Sequence, residues 1–443
     1  MEASTSRLGF KPPPPSPPKP KKKRKTTILA LNHDLLCIIF ASLDLVQLVR
    51  CSAVCKSWTS VIDKLKLLQL KFHNQQVMGS VSSLPETSIS AGKSLNFQME
   101  QLAMERHRFS LREGPANVFQ WKGHSVGVSR CRMKTGMILT GVGDKLLRLW
   151  SAESYKCLDE YRLPDKAPLI DFDFDENKVV GLVGTRICIW TRTGTRNIFS
   201  SRDGMFTRGL CLCYMDPEAM VGCEDGKVRV FDMYSRRCSQ IIKMHAGSVT
   251  CLSLTDDQLL ISGSSLGGIS LSDLSSDQQV MTLKSNSSSG VKTMCLNPRS
   301  NLLFAGSTDG HLSCWDIRLT RSRLWETRLS SNVLYSINHM RNDTSTIVAG
   351  GIDGVLRIVD QDTGEVLSRC VMDDSSRVVS SQLRGGGSHQ VTEKKAVRRL
   401  SDDERIYLMS AAPRPPITCL SVGMQKVVTM NNDKCVRVWK FSQ

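Results

Sequence analysis

The sequence predicts a multidomain chain in which a disordered basic tail leads into a small all-α module and then an all-β propeller of seven blades. Three observations carry that prediction. An acidic or turn residue is followed six positions later by a large apolar one at Asp144…Trp150, Asp225…Phe231, Asp309…Trp315, Asp353…Val359 and Asp433…Trp439, with degenerate copies at Gly184…Trp190 and Leu266…Ser272. The end positions 150, 190, 231, 272, 315 and 359 step by 40, 41, 41, 43 and 44 residues, the period of a blade of four short strands. Upstream, residues 31–62 repeat large apolar residues at helical spacing. Residues 1–27 hold eight Lys or Arg against one Glu, so this segment alone supplies +7 of the net charge of +17, and it carries seven prolines.

Such a tail cannot bury enough apolar surface to order itself, and is expected to be extended. Its core, Pro20-Lys21-Lys22-Lys23-Arg24-Lys25, looks like a monopartite import signal, a cation run that the acidic grooves of a nuclear import receptor can read. The competing reading is a solvated charge run that touches RNA nonspecifically. No run approaches the ~18–20 apolar residues of a membrane span. The first residues lack the apolar core of a signal peptide, so a nuclear home, shared with the cytoplasm, is expected.

The helical module spans residues 28–68. Asn32 can cap a first helix with Leu35, Leu36, Ile39, Phe40 and Leu43 as its apolar stripe. Leu45, Leu48 and Val49 fall on a second helix, and Val54, Cys55, Trp58, Val61 and Ile62 on a third. So short a segment cannot bury all of these alone, and the excess points to a partner surface. The order of residues resembles the F-box family. Its Val-Cys-Lys/Arg-x-Trp tail is present as Val54-Cys55-Lys56-Ser57-Trp58. Its Leu-Pro start is here Leu31-Asn32, and its Asp-Pro-x-Asp-Leu turn is Asp44-Leu45-Val46-Gln47-Leu48, which keeps only the ends. The resemblance implies docking onto the Skp-type adaptor of a cullin ubiquitin ligase complex. Leu35, Leu36, Ile39, Phe40, Leu43, Leu48, Val49, Val54, Cys55 and Trp58 would be the adaptor-binding residues.

Residues 69–116 read as a linker, with a helix at about 94–108 from the spacing of Leu95, Met99 and Leu102. The propeller occupies 117–443. In its first repeat His124, Thr140, Asp144 and Trp150 stand where the WD-repeat (WD40) family builds a hydrogen-bonded tetrad, with Asp144 accepting from His124 and the imidazole reaching the indole N–H. A hydrolytic triad of Ser125, His124 and Asp144 is the weaker reading, because the Asp recurs in repeats without a His. His245 precedes a repeat whose Asp is Leu266, so its tetrad is expected to be broken. Val118–Trp121 should complete the last blade by pairing outside Cys435–Phe441. The interval of 80 residues before Trp439 leaves 371–413 as a mobile insertion or an eighth blade, and the insertion is the preferred reading. Within it, Arg398-Arg399-Leu400-Ser401 reads as a site for a basophilic kinase.

The binding face should be set by the residues entering each first strand: Ser129, Ile170, Arg208, Thr250, Lys292, Tyr335 and Thr418. Arg208, Lys292 and Tyr335 are the target-binding candidates. So few cations depart from the arginine-rich pattern by which some F-box/WD proteins grip phosphorylated targets. Arg148, Arg229, Arg357 and Arg437, each two residues before a strand end, are expected to pair across blades. Sixteen cysteines are scattered singly, as small buried thiols rather than metal ligands, and no metal or cofactor is expected. No phosphate-binding loop, zinc-protease motif or nucleophile elbow occurs. The resemblance therefore implies a non-catalytic substrate receptor of an SCF-type ubiquitin ligase. A nuclear WD-repeat scaffold and an RNA- or chromatin-associated protein are the alternatives.

Overall fold

The computed structural model describes residues 33–43, 45–52, 54–68, 71, 95–141, 145–163, 168–192, 196–198, 208–276, 278–284, 289–319, 323–380, 392–401 and 414–442. The chain forms two compact units, 1–99 and 100–443. The import signal Pro20 to Lys25 and the turn residue Asp144 lie outside the described residues.

The first unit includes three short helices, α1 (His33–Ser42), α2 (Leu45–Ser52) and α3 (Lys56–Lys64). Leu36 and Phe40 of α1, Leu48 of α2, and Trp58, Val61 and Ile62 of α3 are buried together. Phe40 and Trp58 meet edge to face with centroids 5.3 Å apart, the arrangement that ring quadrupoles favour. The Thr59 hydroxyl donates to the Ser52 carbonyl and ties α3 to the end of α2.

Seven blades of four antiparallel strands make up the second unit among the described residues. Their innermost strands, for blades 1 to 7, are Arg130–Lys134, Leu169–Phe174, Gly209–Met215, Val249–Leu254, Val291–Asn297, Leu334–Asn338 and Cys419–Gly423. These strands pack one against the next, and blade 7 meets blade 1, so the ring is closed. Ala116–Lys122 is the outer strand of blade 7, with Val118 opposite Trp439 and Gln120 opposite Arg437, as the sequence predicts. The turns Asp225-Gly226, Asp309-Gly310 and Asp353-Gly354 place glycine at positive φ (76°, 90° and 69°), and a Cβ on Gly226 or Gly310 would stand 2.2 Å from a carbonyl oxygen.

The expected mobile insertion is corrected in part. Val366–Ser380 is a long outer strand of blade 6, and Thr392–Leu400 pairs with it. Thr392–Leu400 also pairs with Ala116–Lys122 of blade 7. One nine-stranded sheet therefore joins blades 6 and 7, and among the described residues no eighth blade forms. Arg399 fixes the bridge: its guanidinium donates to the Ser368 hydroxyl and to the Ser110 and Gly114 carbonyls, and lies over the Phe441 ring. Within the Arg398 to Ser401 segment Leu400 is buried, whereas Arg398 and Ser401 are exposed.

The linker helix is observed as α4 (Leu95–Arg112). From Glu100 onward it belongs to the propeller unit. Met104, His107 and Leu111, at i, i+3 and i+7, form its buried stripe. The backbone N–H of Gln425 donates to His107 Nδ1 (2.9 Å), and Arg108 pairs with Asp343 (2.7 Å).

Neighbouring inner strands are stitched by side chains. An edge strand carries N–H groups that need partners. Asp171 accepts from Leu212 N–H, Asp173 from Tyr214, Thr293 from Ile337, Ser336 from Leu420 and Ser421 from Met133. Each acceptor stands on the preceding blade.

Candidate functional site

Helix α1 is apolar around most of its circumference, and α3 decides which side faces inward. With Leu36 and Phe40 turned to the core, Leu35, Ile38 and Ile39 emerge on the other side, at i, i+3 and i+4. Ile38 is 67% exposed, Leu35 49% and Ile39 39%, and Val54 before α3 is 61% exposed. The ten adaptor candidates thus separate. Leu36, Phe40, Leu48 and Trp58 form the module's own core. Leu35 and Ile39 lie on the open apolar face of α1, Val54 is exposed ahead of α3, and Leu43, Val49 and Cys55 are half-buried. Sequence reasoning missed Ile38, the most exposed of the set, because an all-apolar helix gives no phase signal. Covering an apolar side chain of this size stabilises a complex by ~1.5–3 kcal/mol.

At the inner edge of the propeller a one-residue bulge recurs. The register shifts between Leu169 and Asp171, Gly209 and Cys211, Val249 and Cys251, Val291 and Thr293, and Leu334 and Ser336. The unpaired residues are Ile170, Leu210, Thr250, Lys292 and Tyr335. A bulge re-aims its side chain, and each of these is exposed or half-exposed beside a buried neighbour. Arg208 is thereby corrected: it is exposed, but two residues ahead of the equivalent position, which is Leu210. Lys292 and Tyr335 lie on adjacent blades, with the ammonium 5.8 Å from the ring centroid. Burial, and then the charge of Arg130, push the Lys292 pKa down. On the neighbouring inner strands Asp171 approaches Arg130 and Arg132 (3.8 and 3.6 Å), and Lys134 meets Asp173 at 2.7 Å. Against its burial, Lys134 and then Arg132 hold the Asp173 carboxyl below the usual range.

Thr140 joins His124 to Trp150 in the first-repeat tetrad. Its hydroxyl oxygen accepts from Trp150 Nε1 at 2.8 Å and lies 2.8 Å from His124 Nε2. Arg148 donates to His124 Nδ1 at 3.2 Å, which leaves the ring hydrogen on Nε2. Each described link is an internal hydrogen bond. Blade 7 repeats the half-motif, with Trp439 Nε1 donating to Thr429 at 3.0 Å. Blade 4 keeps the other half: His245 Nε2 lies 2.8 Å from the Ser262 hydroxyl while Ser272 stands in place of the tryptophan.

The F-box domain family matches residues 28–70, the helical module. The WD domain, G-beta repeat family matches residues 277–316, from the outer strand of blade 4 through the third strand of blade 5. This staggered unit explains why a strand from the start of the propeller must complete the last blade. An F-box/WD-40 repeat-containing protein of Arabidopsis thaliana is 50% identical over 439 residues, covering 94% of this chain and 95% of that protein. The chain belongs to the F-box/WD-repeat family. More distant likenesses are to the F-box/WD repeat-containing protein A-like protein of Dictyostelium discoideum, 22% identical over 60% of this chain and 27% of that protein, and to the COMPASS component SWD3 of Saccharomyces cerevisiae, 32% identical over 19% of this chain and 26% of that protein.

In this F-box/WD-repeat protein the arginine series pairs within blades, not across them. Asp225 holds Arg229, Asp353 holds Arg357 and Asp433 holds Arg437, each through both guanidinium NH groups. The same carboxylates accept the backbone N–H two residues on, at Lys227, Val355 and Cys435. Turn and third strand are thus locked by one residue. Arg148 reaches Glu160 and the Gly123 carbonyl. Arg229, Arg357 and Arg437 are structural, and among the described residues the α1 face and the bulge ring are open to a partner.

Proposed function

We propose that this protein is the substrate-recognition subunit of an SCF-type ubiquitin ligase, with its F-box on a Skp-type adaptor and its propeller on the target. The observation that carries the reading is the open apolar α1 face of Leu35, Ile38 and Ile39 on a module of the F-box family. The protein would contribute proximity, raising the local concentration of target lysines near the charged ubiquitin enzyme, and no chemistry of its own. Target contact falls to the bulge ring, where apolar Ile170 and Leu210 stand with Tyr335 and a single cation, Lys292. That mixture suits a segment with an apolar anchor beside an acidic residue better than a multiply phosphorylated one. The basic run from Pro20 to Lys25 extends the proposal to nuclear import, tested by whether a fluorescent chain lacking residues 20–25 stays in the cytoplasm.

The central test is capture of a purified Skp-type adaptor by the full chain and by an Ile38→Asp variant. Stoichiometric capture by the wild type and loss in the folded variant support the receptor reading. A folded wild type that captures no adaptor refutes it and leaves the scaffold reading.

A further inference from the structure

At the seam where the ring closes, the stitching of inner strands includes a sulfur acceptor. Where blades 2, 5 and 6 offer the next blade an oxygen, from Asp171, Thr293 and Ser336, blade 7 at the same register offers blade 1 a sulfur, beside the Ser421 oxygen two residues on. Cys419 Sγ receives the Cys131 backbone N–H at 3.4 Å, in the place where Ser336 receives Leu420. The Cys131 thiol lies against the same sulfur, with Sγ to Sγ at 3.7 Å. Both cysteines are buried, and they belong to the apolar cluster that seals blade 7 to blade 1. They are the contact at which the ring closes on itself.

We propose that Cys131 and Cys419 are a dithiol modification site, oxidised by hydrogen peroxide to a disulfide that closes the propeller covalently. The geometry supplies what the reaction requires. The two sulfurs are close to contact, and each sits on a strand held by its own blade, so the approach is already organised. One sulfur accepts an N–H and a neighbouring S–H, which favours its ionised form. Arg130 and Arg132 flank Cys131 along its strand. The hydrogen bond from Cys131, and then the charges of Arg132 and Arg130, pull the Cys419 thiol down against the effect of burial. The bond shared with Cys419 pushes the Cys131 thiol up. The pair is therefore asymmetric, with Cys419 as the nucleophile and Cys131 as the resolving thiol.

The chemistry balances. The Cys419 thiolate attacks one peroxide oxygen, the O–O bond breaks, and hydroxide leaves with a proton as water. Cys419 is then a sulfenic acid, oxidised by two electrons. The Cys131 sulfur, losing its proton, attacks the Cys419 sulfur and displaces the hydroxyl, which leaves as a second water. Two thiols and one peroxide give one disulfide and two waters. A dithiol reductant reverses the step by thiol–disulfide exchange.

The test uses the full-length protein. It is treated with hydrogen peroxide, alkylated, digested without reductant and mapped by mass spectrometry. The expected result is a linked pair of peptides containing Cys131 and Cys419, a loss of two of the sixteen thiols, a raised thermal midpoint, and recovery of all three readings with dithiothreitol. In a Cys131→Ser variant, dimedone should label Cys419 as the trapped sulfenic acid. A Cys419→Ser variant keeps an oxygen acceptor, as Ser336 does, and should lose the cross-link without losing the fold. Peroxide that oxidises the exposed Cys157 while Cys131 and Cys419 stay reduced in the wild type would overturn the proposal, whatever the variants do.

Discussion

Asp353 is the sharpest place to perturb the propeller. Its carboxylate receives both NH groups of Arg357 and the N–H of Val355, and Arg357 is only 2% exposed. Asp353→Ala removes the acceptor and leaves a guanidinium with no route to water. Breaking a buried pair from one side costs ~3–5 kcal/mol. With an unfolding entropy of ~2.1 cal/mol/K per residue over the roughly 340 residues of the propeller unit, the thermal midpoint should fall by about 4–7 °C. Scanning calorimetry of the full chain at two scan rates reads this and separates a kinetic loss from an equilibrium one. Two controls sharpen it. The double variant Asp353→Ala/Arg357→Met removes the stranded charge and should regain most of the loss. Asp256→Ala breaks an exposed pair with Arg341 and should change stability by less than ~0.5 kcal/mol. An Asp353→Ala midpoint equal to the wild type's, or a double variant no better than the single, would refute the argument.

Other outcomes follow from the same geometry. Trp58→Ala should unfold the helical module, at ~3–5 kcal/mol, whereas Ile38→Asp should leave its circular dichroism unchanged, because Ile38 faces solvent. Burial lowers the folded-state pKa of His107 and of His245. Below about pH 6.5 the unfolded chain therefore binds protons that the folded chain does not, so stability should fall as pH drops through that range. His107→Gln should flatten this slope in a comparison of thermal midpoints at pH 7.5 and 5.5. Arg399→Ala should raise hydrogen exchange across 392–400, since that side chain ties the bridging strand to Ser368 and to the end of α4.

The period of the repeats and the strand Val118–Trp121 were legible because they are apolar patterns that a buried sheet imposes on sequence. The bridge Thr392–Leu400 was not. It reads Thr-Glu-Lys-Lys-Ala-Val-Arg-Arg-Leu, with hardly an apolar alternation, because backbone bonds on both of its edges hold it in place. Arg208 was misplaced for a related reason: a bulge of one residue leaves no mark in the sequence, so the entry position could be found only from the register at Gly209 and Cys211. The Asp–Arg clamps did leave a mark, a spacing of four between Asp225 and Arg229, Asp353 and Arg357, and Asp433 and Arg437. The expected pairing across blades misses that a tight turn folds the carboxylate back over its own strand.

The position of Ala116–Lys122 changes how the ring can be opened. A closing strand at the margin of a sheet can peel away one hydrogen bond at a time, as a zipper does. Here the closing strand has Cys435–Phe441 on one side and Thr392–Leu400 on the other. Pulling on the chain ahead of it must shear two rows of bonds at once. Resistance to force, and to translocating machines that unravel proteins from one end, should accordingly depend on a strand that lies more than 270 residues away in the chain.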